Sequence, residues 1–175
     1  TEYSADSSDA DSYSVEYEND TIVITLKSLD RSISKPFIES TSDTPITVKL
    51  NGSSTLTAGD DTGDNFTFIK STGAVTIISD NNGELTIVPA KDGQALAHGG
   101  SVTNNAVINF MCPNSSDSAD GISFKLGADF TISANSKITL DNNFTLVVDG
   151  THFTAESSEG TSSRIQCAGD EPCRG

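Results

Sequence analysis

Residues 46–58 read ITVKLNGSSTLTA, and two later stretches repeat their pattern. Residues 74–88 read AVTIISDNNGELTIV, and residues 137–147 read KITLDNNFTLV. Each stretch has a short run in which apolar residues alternate with Thr or another polar residue, then a corner of Asn or Gly, then a second such run. Alternation with a period of two is typical of β-strands with one buried face, and Asn and Gly favour tight turns. The stretches therefore predict repeated strand–corner–strand units.

Similar short strands are predicted along most of the chain, with turns rich in Gly, Asn and Asp between them. No segment has a convincing apolar period of 3.6 residues, so we expect almost no helix apart from one short turn at residues 94–97. The predicted strands are Thr21–Leu26, Ile46–Leu50, Ser54–Ala58, Phe66–Ile69, Ala74–Ile78, Leu85–Val88, Ala106–Phe110, Ile122–Leu126, Phe130–Ser133, Lys137–Leu140 and Phe144–Val148.

Self-similar units of short strands and polar corners, at roughly 20–30 residues each, indicate a stacked β-solenoid. A single coil cannot bury its inner face, whereas stacked coils share a continuous apolar core. We therefore predict an all-β, right-handed parallel β-helix with an extended N-terminal arm. A β-sandwich is the alternative, because it also has many short strands separated by turns. The predicted organisation is an acidic arm at residues 1–20, a solenoid at 21–155 and a Cys-containing tail at 156–175.

The chain is strongly acidic, with 25 Asp and Glu residues, 10 Lys and Arg residues and a formal net charge of −15. Neutralising phosphates requires clustered Lys and Arg, so we expect no nucleic-acid partner and no basic patch for anionic membranes. No apolar run approaches the roughly 18–20 residues that cross a bilayer, so membrane insertion is not expected. The chain begins at Thr1 rather than Met, which indicates a processed mature end.

Residues 1–20 contain seven Asp and Glu residues and no Lys or Arg. Within them, residues 12–18 alternate between polar and apolar, so Tyr13, Val15 and Tyr17 should line one face of a strand. A segment of this polarity becomes ordered only when it packs on something. It could cover the open end of its own solenoid, or it could add a strand to a neighbouring subunit as an assembly arm.

The chain has three cysteines, Cys112, Cys167 and Cys173. An odd number leaves one cysteine over, or one joined to another chain. We expect one disulfide, with a Cys167–Cys173 bond and a bond from Cys112 to the C-terminal segment as open alternatives. Disulfides persist in oxidising compartments, which favours a protein outside the cell or on its surface.

Sequons for N-glycosylation occur five times, each beside a predicted corner where a glycan would project into water. In a eukaryotic source we expect at least two of them to be glycosylated, which again favours an extracellular location. The five acceptor residues are Asn19, Asn51, Asn65, Asn114 and Asn143.

The run GDDTGDN at residues 59–65 is the best candidate for a metal site. Asp60, Asp61 and Asp64 could offer several oxygens to a hard cation such as calcium. The run lacks the spacing and the final Glu of an EF-hand, and a solvated turn is the competing explanation. We expect no cofactor apart from this candidate calcium site.

The repeats at residues 46–58 and 74–87, followed by QALAHGG at 94–100, resemble bacterial cell-surface right-handed parallel β-helix proteins. Some of those proteins are labelled carbohydrate-binding, and pectate-lyase-like enzymes are their distant relatives. The resemblance covers about residues 46–100 and, more weakly, residues 122–150. It implies the fold and a carbohydrate ligand. The carboxylate-bound calcium and the basic residue of the lytic members have no matching motif here.

No nucleophile elbow and no His-centred arrangement is present, so we predict that the chain is not an enzyme, with polysaccharide lyase chemistry as a remote alternative. The leading hypothesis is an extracellular structural or adhesive subunit that self-assembles into a filament or surface layer through its solenoid ends and N-terminal arm. The alternative is a carbohydrate-binding module of a cell-surface protein, with calcium as a candidate cofactor. The expected partner is accordingly a second copy of the chain or a polysaccharide.

Overall fold

The computed structural model describes residues 12–113, 121–133, 136–141 and 144–148, together with the backbone of strands at 153–155 and 165–167. Among these residues, no helix is long and apolar enough to cross a membrane. The strands are β1 (Tyr13–Glu18), β2 (Thr21–Lys27), β3 (Asp30–Ile33), β4 (Ile38–Ser40), β5 (Ile46–Ala58), β6 (Thr67–Ser71), β7 (Val75–Val88), β8 (Ala95–Gly99), β9 (Val102–Asn105), β10 (Val107–Phe110), β11 (Ile122–Lys125), β12 (Phe130–Ile132), β13 (Lys137–Leu140), β14 (Phe144–Val148), β15 (Phe153–Ala155) and β16 (Ile165–Cys167).

The strands stack in parallel ladders, which confirms the predicted β-solenoid. In the first ladder, Ile22 pairs with Ile46, Ile46 with Val75, Val75 with Val102 and Val102 with Phe130. Four full turns of the chain therefore separate Ile22 from Phe130, and β15 begins the next turn by pairing with β12. The β-sandwich alternative is wrong, because a sandwich is built from antiparallel sheets.

Two further ladders complete each turn. The second ladder joins β3, residues 53–58 of β5, residues 84–88 of β7, β10 and β13. The third joins β4, β6, β8, β11, β14 and β16. Strands β5 and β7 belong to both the first and second ladders because each turns a corner at its middle. The corners have the positive φ angles expected of Asn and Gly, at Gly52 (79°), Asn81 (51°) and Asn82 (57°).

Inward-pointing apolar side chains from all three ladders form one core. Along the long strands β5 and β7, buried residues mostly alternate with half-buried ones, as the period-two pattern of the sequence predicts. Four phenylalanine rings contact one another inside the column, in edge-to-face or tilted pairs with centroid separations of 5.9 Å for Phe68–Phe124, 5.6 Å for Phe110–Phe124 and 5.8 Å for Phe124–Phe144. Phe124 is fully buried, and it contacts Phe144 of the next coil, Phe110 of its own coil and Phe68 two coils earlier.

The structure differs from two of the sequence predictions, one for a local element and one for a segment boundary. The helical turn predicted at residues 94–97 is wrong, because β8 pairs in parallel with β6 from Thr67–Ala95 to Ser71–Gly99. Ala and Leu favour helices locally, but the neighbouring coil supplies strand partners that outweigh this preference. The predicted tail at 156–175 contains a paired strand, since β16 continues the third ladder on β14. Solenoid pairing therefore extends past residue 155.

Candidate functional site at the N-terminal end

The N-terminal strand β1 folds back on its own chain instead of extending as an arm. It pairs antiparallel with β2, so that Tyr13 lies opposite Leu26 and Val15 lies opposite Ile24. The two-residue turn at Asn19 and Asp20 makes this reversal, with φ of 48° and 60°. Pairing with β1 satisfies the backbone of β2 at the end of the first ladder. In this structure the segment therefore covers its own solenoid, the first of the two arrangements that the sequence left open.

The three predicted arm residues share one face, as the alternation predicted, but only the first is well covered. Tyr13 packs against the core, whereas Val15 is 38% exposed and Tyr17 is 66% exposed. Because directly opposed residues point to the same side of a sheet, this face of β1 continues the inward-pointing face of β2. The apolar interior thus extends one strand beyond the first coil on this side.

A groove of about 1130 Å³ opens between β1 and the segment 31–40 that contains β3 and β4. No described strand lies beneath β3 or β4, so β1 covers the first ladder while the second and third ladders stay open at this end. The apolar side chains that line the groove are Tyr13, Val15, Tyr17, Ile22, Ile24, Leu29, Ile33, Pro36, Phe37, Ile38 and Ile46. Among them, Ile24, Ile33 and Phe37 are only partly buried.

Charged residues of both signs stand at the edge of this groove. Glu16 and Glu39 contribute negative charge, and Arg31 and Lys35 contribute positive charge. A mixed rim around an apolar floor is typical of protein–protein contacts rather than of sites for a small ion. The arrangement can accept an extended or apolar segment of a protein partner, which would cover the floor and find charged groups of either sign at the rim.

The candidate calcium loop is organised by hydrogen bonds within the protein. Asp60, Asp61 and Asp64 are all exposed, and Asp61 Oδ1 accepts a hydrogen bond from the Ser34 hydroxyl at 2.9 Å. The Lys91 ammonium donates to the carbonyl of Thr62 at 2.8 Å. Lys91 thus brings a positive charge to this loop, which disfavours a bound cation. Among the described residues, no group of three His, Cys, Asp or Glu side chains could hold a metal ion.

Gln94 is the residue that holds this loop in place, and it was not singled out from the sequence. It is fully buried; its Nε2 donates to Thr62 Oγ1 at 2.8 Å and to the Gly63 carbonyl at 3.0 Å. Its Oε1 accepts from the backbone N–H of Ala90 at 2.8 Å. Every polar group of this buried amide side chain thus has a partner, as burial requires. The only sequence signal was a Gln beside an apolar run.

The other predicted site residues are spread over the surface of the molecule. Asn19 and Asn65 are exposed in turns, whereas Asn51 is half-buried within β5. Asn114 and Asn143 lie outside the described residues. Cys112 is half-buried, and its backbone N–H donates to Asp141 Oδ2 at 3.2 Å. Cys167 is described only as part of the backbone of β16 and Cys173 lies outside the described residues, so the disulfide stays a prediction.

Threonines form columns on the outside of two ladders. These columns can be recognised only when the register between coils is known. Thr47, Thr76, Thr103 and Thr131 pair in succession along the first ladder and are all half-buried. Adjacent strands are about 4.8 Å apart, so these four hydroxyls span roughly 14 Å. The second ladder has a similar column, made of Thr55, Thr86, Asn109 and Thr139.

Comparisons of this chain with protein-family models, with curated proteins and with solved structures gave no match. The resemblance to bacterial cell-surface β-helix proteins therefore remains a prediction from the repeat pattern.

Proposed function

We propose that this chain is a structural or adhesive subunit of an extracellular filament or surface layer, and that it associates with further copies through the N-terminal end of its solenoid. The groove at that end supports the proposal. Within the column, each coil is covered by its neighbours. At the N-terminal end, the described part of the first coil leaves apolar side chains partly exposed to solvent. Solenoids require caps at their ends for solubility, and β1 caps only one of the three ladders.

Association at this end would bury the apolar floor and the exposed side chains of β1. Removing apolar surface from water is the main driving force for such contacts. Strand edges at the ends of a β-structure also invite pairing with another chain. Because β3 and β4 are short strands, side chains rather than long backbone ladders would supply much of the affinity.

The variant Val15→Glu tests this proposal in the full chain. Val15 is 38% exposed, so a charge there should change the free energy of unfolding by no more than about 0.5 kcal/mol. At an interface it would be buried without a partner and should weaken association by at least about tenfold. Thr145→Glu, on the outward side of β14, is the matched control and should associate normally.

Sedimentation velocity over a wide concentration range and electron microscopy of the purified protein supply the readout. We expect concentration-dependent oligomers or fibres for the parent chain and for Thr145→Glu, and smaller species for Val15→Glu. A single monomeric species at every concentration would overturn the proposal. Equal association of the two variants would show that the N-terminal end takes no part.

The threonine columns support a second candidate function, a carbohydrate-binding module. Regularly spaced hydroxyl and methyl groups could hydrogen-bond to and pack on a linear polysaccharide that lies along the column. The double variant Thr76→Lys with Thr103→Lys should abolish retention on insoluble polysaccharides, while Thr145→Lys should leave it intact. Pull-downs with and without a chelator test the calcium requirement. Failure of the parent chain to bind any polysaccharide in a broad panel would exclude this candidate.

A further inference from the structure

The turn between β1 and β2 has a strained backbone. Asn19 and Asp20 both have positive φ, at 48° and 60°. Hairpin turns of this kind prefer Gly at the second position, because L-residues with a side chain are disfavoured there. Asp tolerates this region better than most residues, yet Asp20 still occupies the position at which Gly is best. The closed hairpin therefore carries a conformational cost that an extended backbone would remove.

Strand β1 is held on the solenoid with little side-chain burial. Tyr13 packs against the core, but Val15 and Tyr17 remain 38% and 66% exposed. The hydrogen bond that Tyr17 Oη donates to Asp20 Oδ1, at 3.1 Å, lies on the exposed surface. The same strand from a second copy would make the same backbone pairs and the same Tyr13 contact. Exchange of β1 between two copies would therefore lose few of the contacts that hold β1 on the solenoid.

If the turn opens, two copies can pair in the same register along the whole of residues 13–26, including the two residues of the turn. The residue numbers of each pair add up to 39, as for Tyr13 with Leu26 and for Glu18 with Thr21. In two antiparallel copies with this register, Asn19 of each copy lies opposite Asp20 of the other. A carboxylate thus lies opposite a neutral amide, and the repulsion of two directly opposed carboxylates is avoided.

We infer that two copies of this chain exchange β1 reciprocally at their N-terminal ends. Residues 13–27 of each copy form one continuous strand, each β1 pairs with β2 of the other copy, and a two-fold axis passes between the two opened turns. All six pairings of each β1 are retained. This inference rests on the proposed function, and it specifies how two N-terminal ends meet. A longer assembly then needs a second contact elsewhere on the solenoid.

A disulfide between β1 and β2 tests the exchange directly. Val15 and Ile24 are opposite in the register. The Lys27 N–H donates to the Ser12 carbonyl at 2.7 Å, so the Val15–Ile24 pair falls at a non-hydrogen-bonded position of the ladder. The Cα atoms of such pairs are about 4.5 Å apart, which a disulfide can span. The double variant Val15→Cys with Ile24→Cys is oxidised in the full chain, with the single Val15→Cys variant as control for the native cysteines.

Denaturing electrophoresis without reductant then separates the outcomes. In the associated fraction we expect covalent dimers for the double variant and far fewer for the control. An associated fraction whose new disulfide lies only within single chains would overturn the exchange and leave the proposed function standing. A protein that stays monomeric at every concentration would overturn both.

Two substitutions at the turn provide a second test that leaves the β1–β2 pairs unchanged. Asp20→Gly relaxes the closed turn and should raise the dimer dissociation constant. Asp20→Val disfavours positive φ and suits an extended strand, so it should lower that constant. Because each dimer contains two such turns, we expect the two variants to differ by at least about a hundredfold. Equal dissociation constants would overturn the exchange.

Discussion

Replacing Gly83 with Ala should destabilise the solenoid, because a side chain at this position would collide with the neighbouring coil. A Cβ atom at this position would lie 2.8 Å from Leu50 Cβ and even closer to the carbonyl group of Leu50. Leu50 is fully buried in the neighbouring coil and cannot move aside as a surface side chain would. Gly63 provides a matched control, since a Cβ atom there meets nothing within 4 Å.

The two substitutions should change the free energy of unfolding in opposite directions. Overpacking against buried groups costs about 1–3 kcal/mol, and a clash with backbone atoms belongs at the upper end of that range, about 3 kcal/mol. Gly63→Ala should instead stabilise the protein by about 0.4–1 kcal/mol, because Ala restricts the unfolded chain. In a chain of this length, a loss of about 3 kcal/mol lowers the melting temperature by about 6–12 °C.

Urea unfolding followed by far-ultraviolet circular dichroism measures both variants under the same conditions. The slope of the free energy against urea should stay unchanged, while the midpoint falls for Gly83→Ala and rises slightly for Gly63→Ala. A difference of less than about 1 kcal/mol between the two variants would refute the close stacking of residue 83 on the preceding coil, and with it the register of β5 and β7.

Other predictions concern the core, the buried amide and the sequons. Phe124→Ala should lower the free energy of unfolding by about 3–5 kcal/mol, and Phe66→Ala by less because Phe66 is only half-buried; equal losses in urea unfolding would contradict the stacked core. Gln94→Leu should cost about 1–3 kcal/mol, because a backbone N–H and a carbonyl lose their partners; an unchanged melting temperature would exclude this role. In a eukaryotic host, Asn19→Gln and Asn65→Gln should each lower the intact mass by one glycan, and variants that keep the mass of the untreated parent would contradict this.

Strands with clear alternation could be predicted from the sequence, and less regular strands could not. The predicted strands at 46–50, 54–58 and 74–78 lie within β5 and β7 or begin one residue before them. Strands β3 and β9 were missed because DRSI and VTNN are too polar to show the pattern. In β9, Asn104 is fully buried, and its side chain bonds to the backbone N–H and carbonyl of Ala106 at 3.0 and 3.1 Å. Such partners are supplied by the corner and are invisible in a linear pattern.

The candidate site was predictable only in part. The alternation of Tyr13, Val15 and Tyr17 identified a strand with one apolar face, but it could not say which chain that strand would pair with. The threonine columns depend on residues 23 to 31 positions apart becoming neighbours, as in the pairing of Thr86 with Asn109 and of Thr55 with Thr86. No local pattern reports that distance.

Local sequence patterns are enough to specify short β-strands with polar corners, because period-two alternation and turn chemistry act within a few residues. Tertiary structure alone decided which strands became neighbours, how β1 closes the first ladder and where the groove and the threonine columns lie. Those features depend on the register between coils. That register is set by packing of side chains from different turns, each of which finds its partners only after the chain has completed a full circuit.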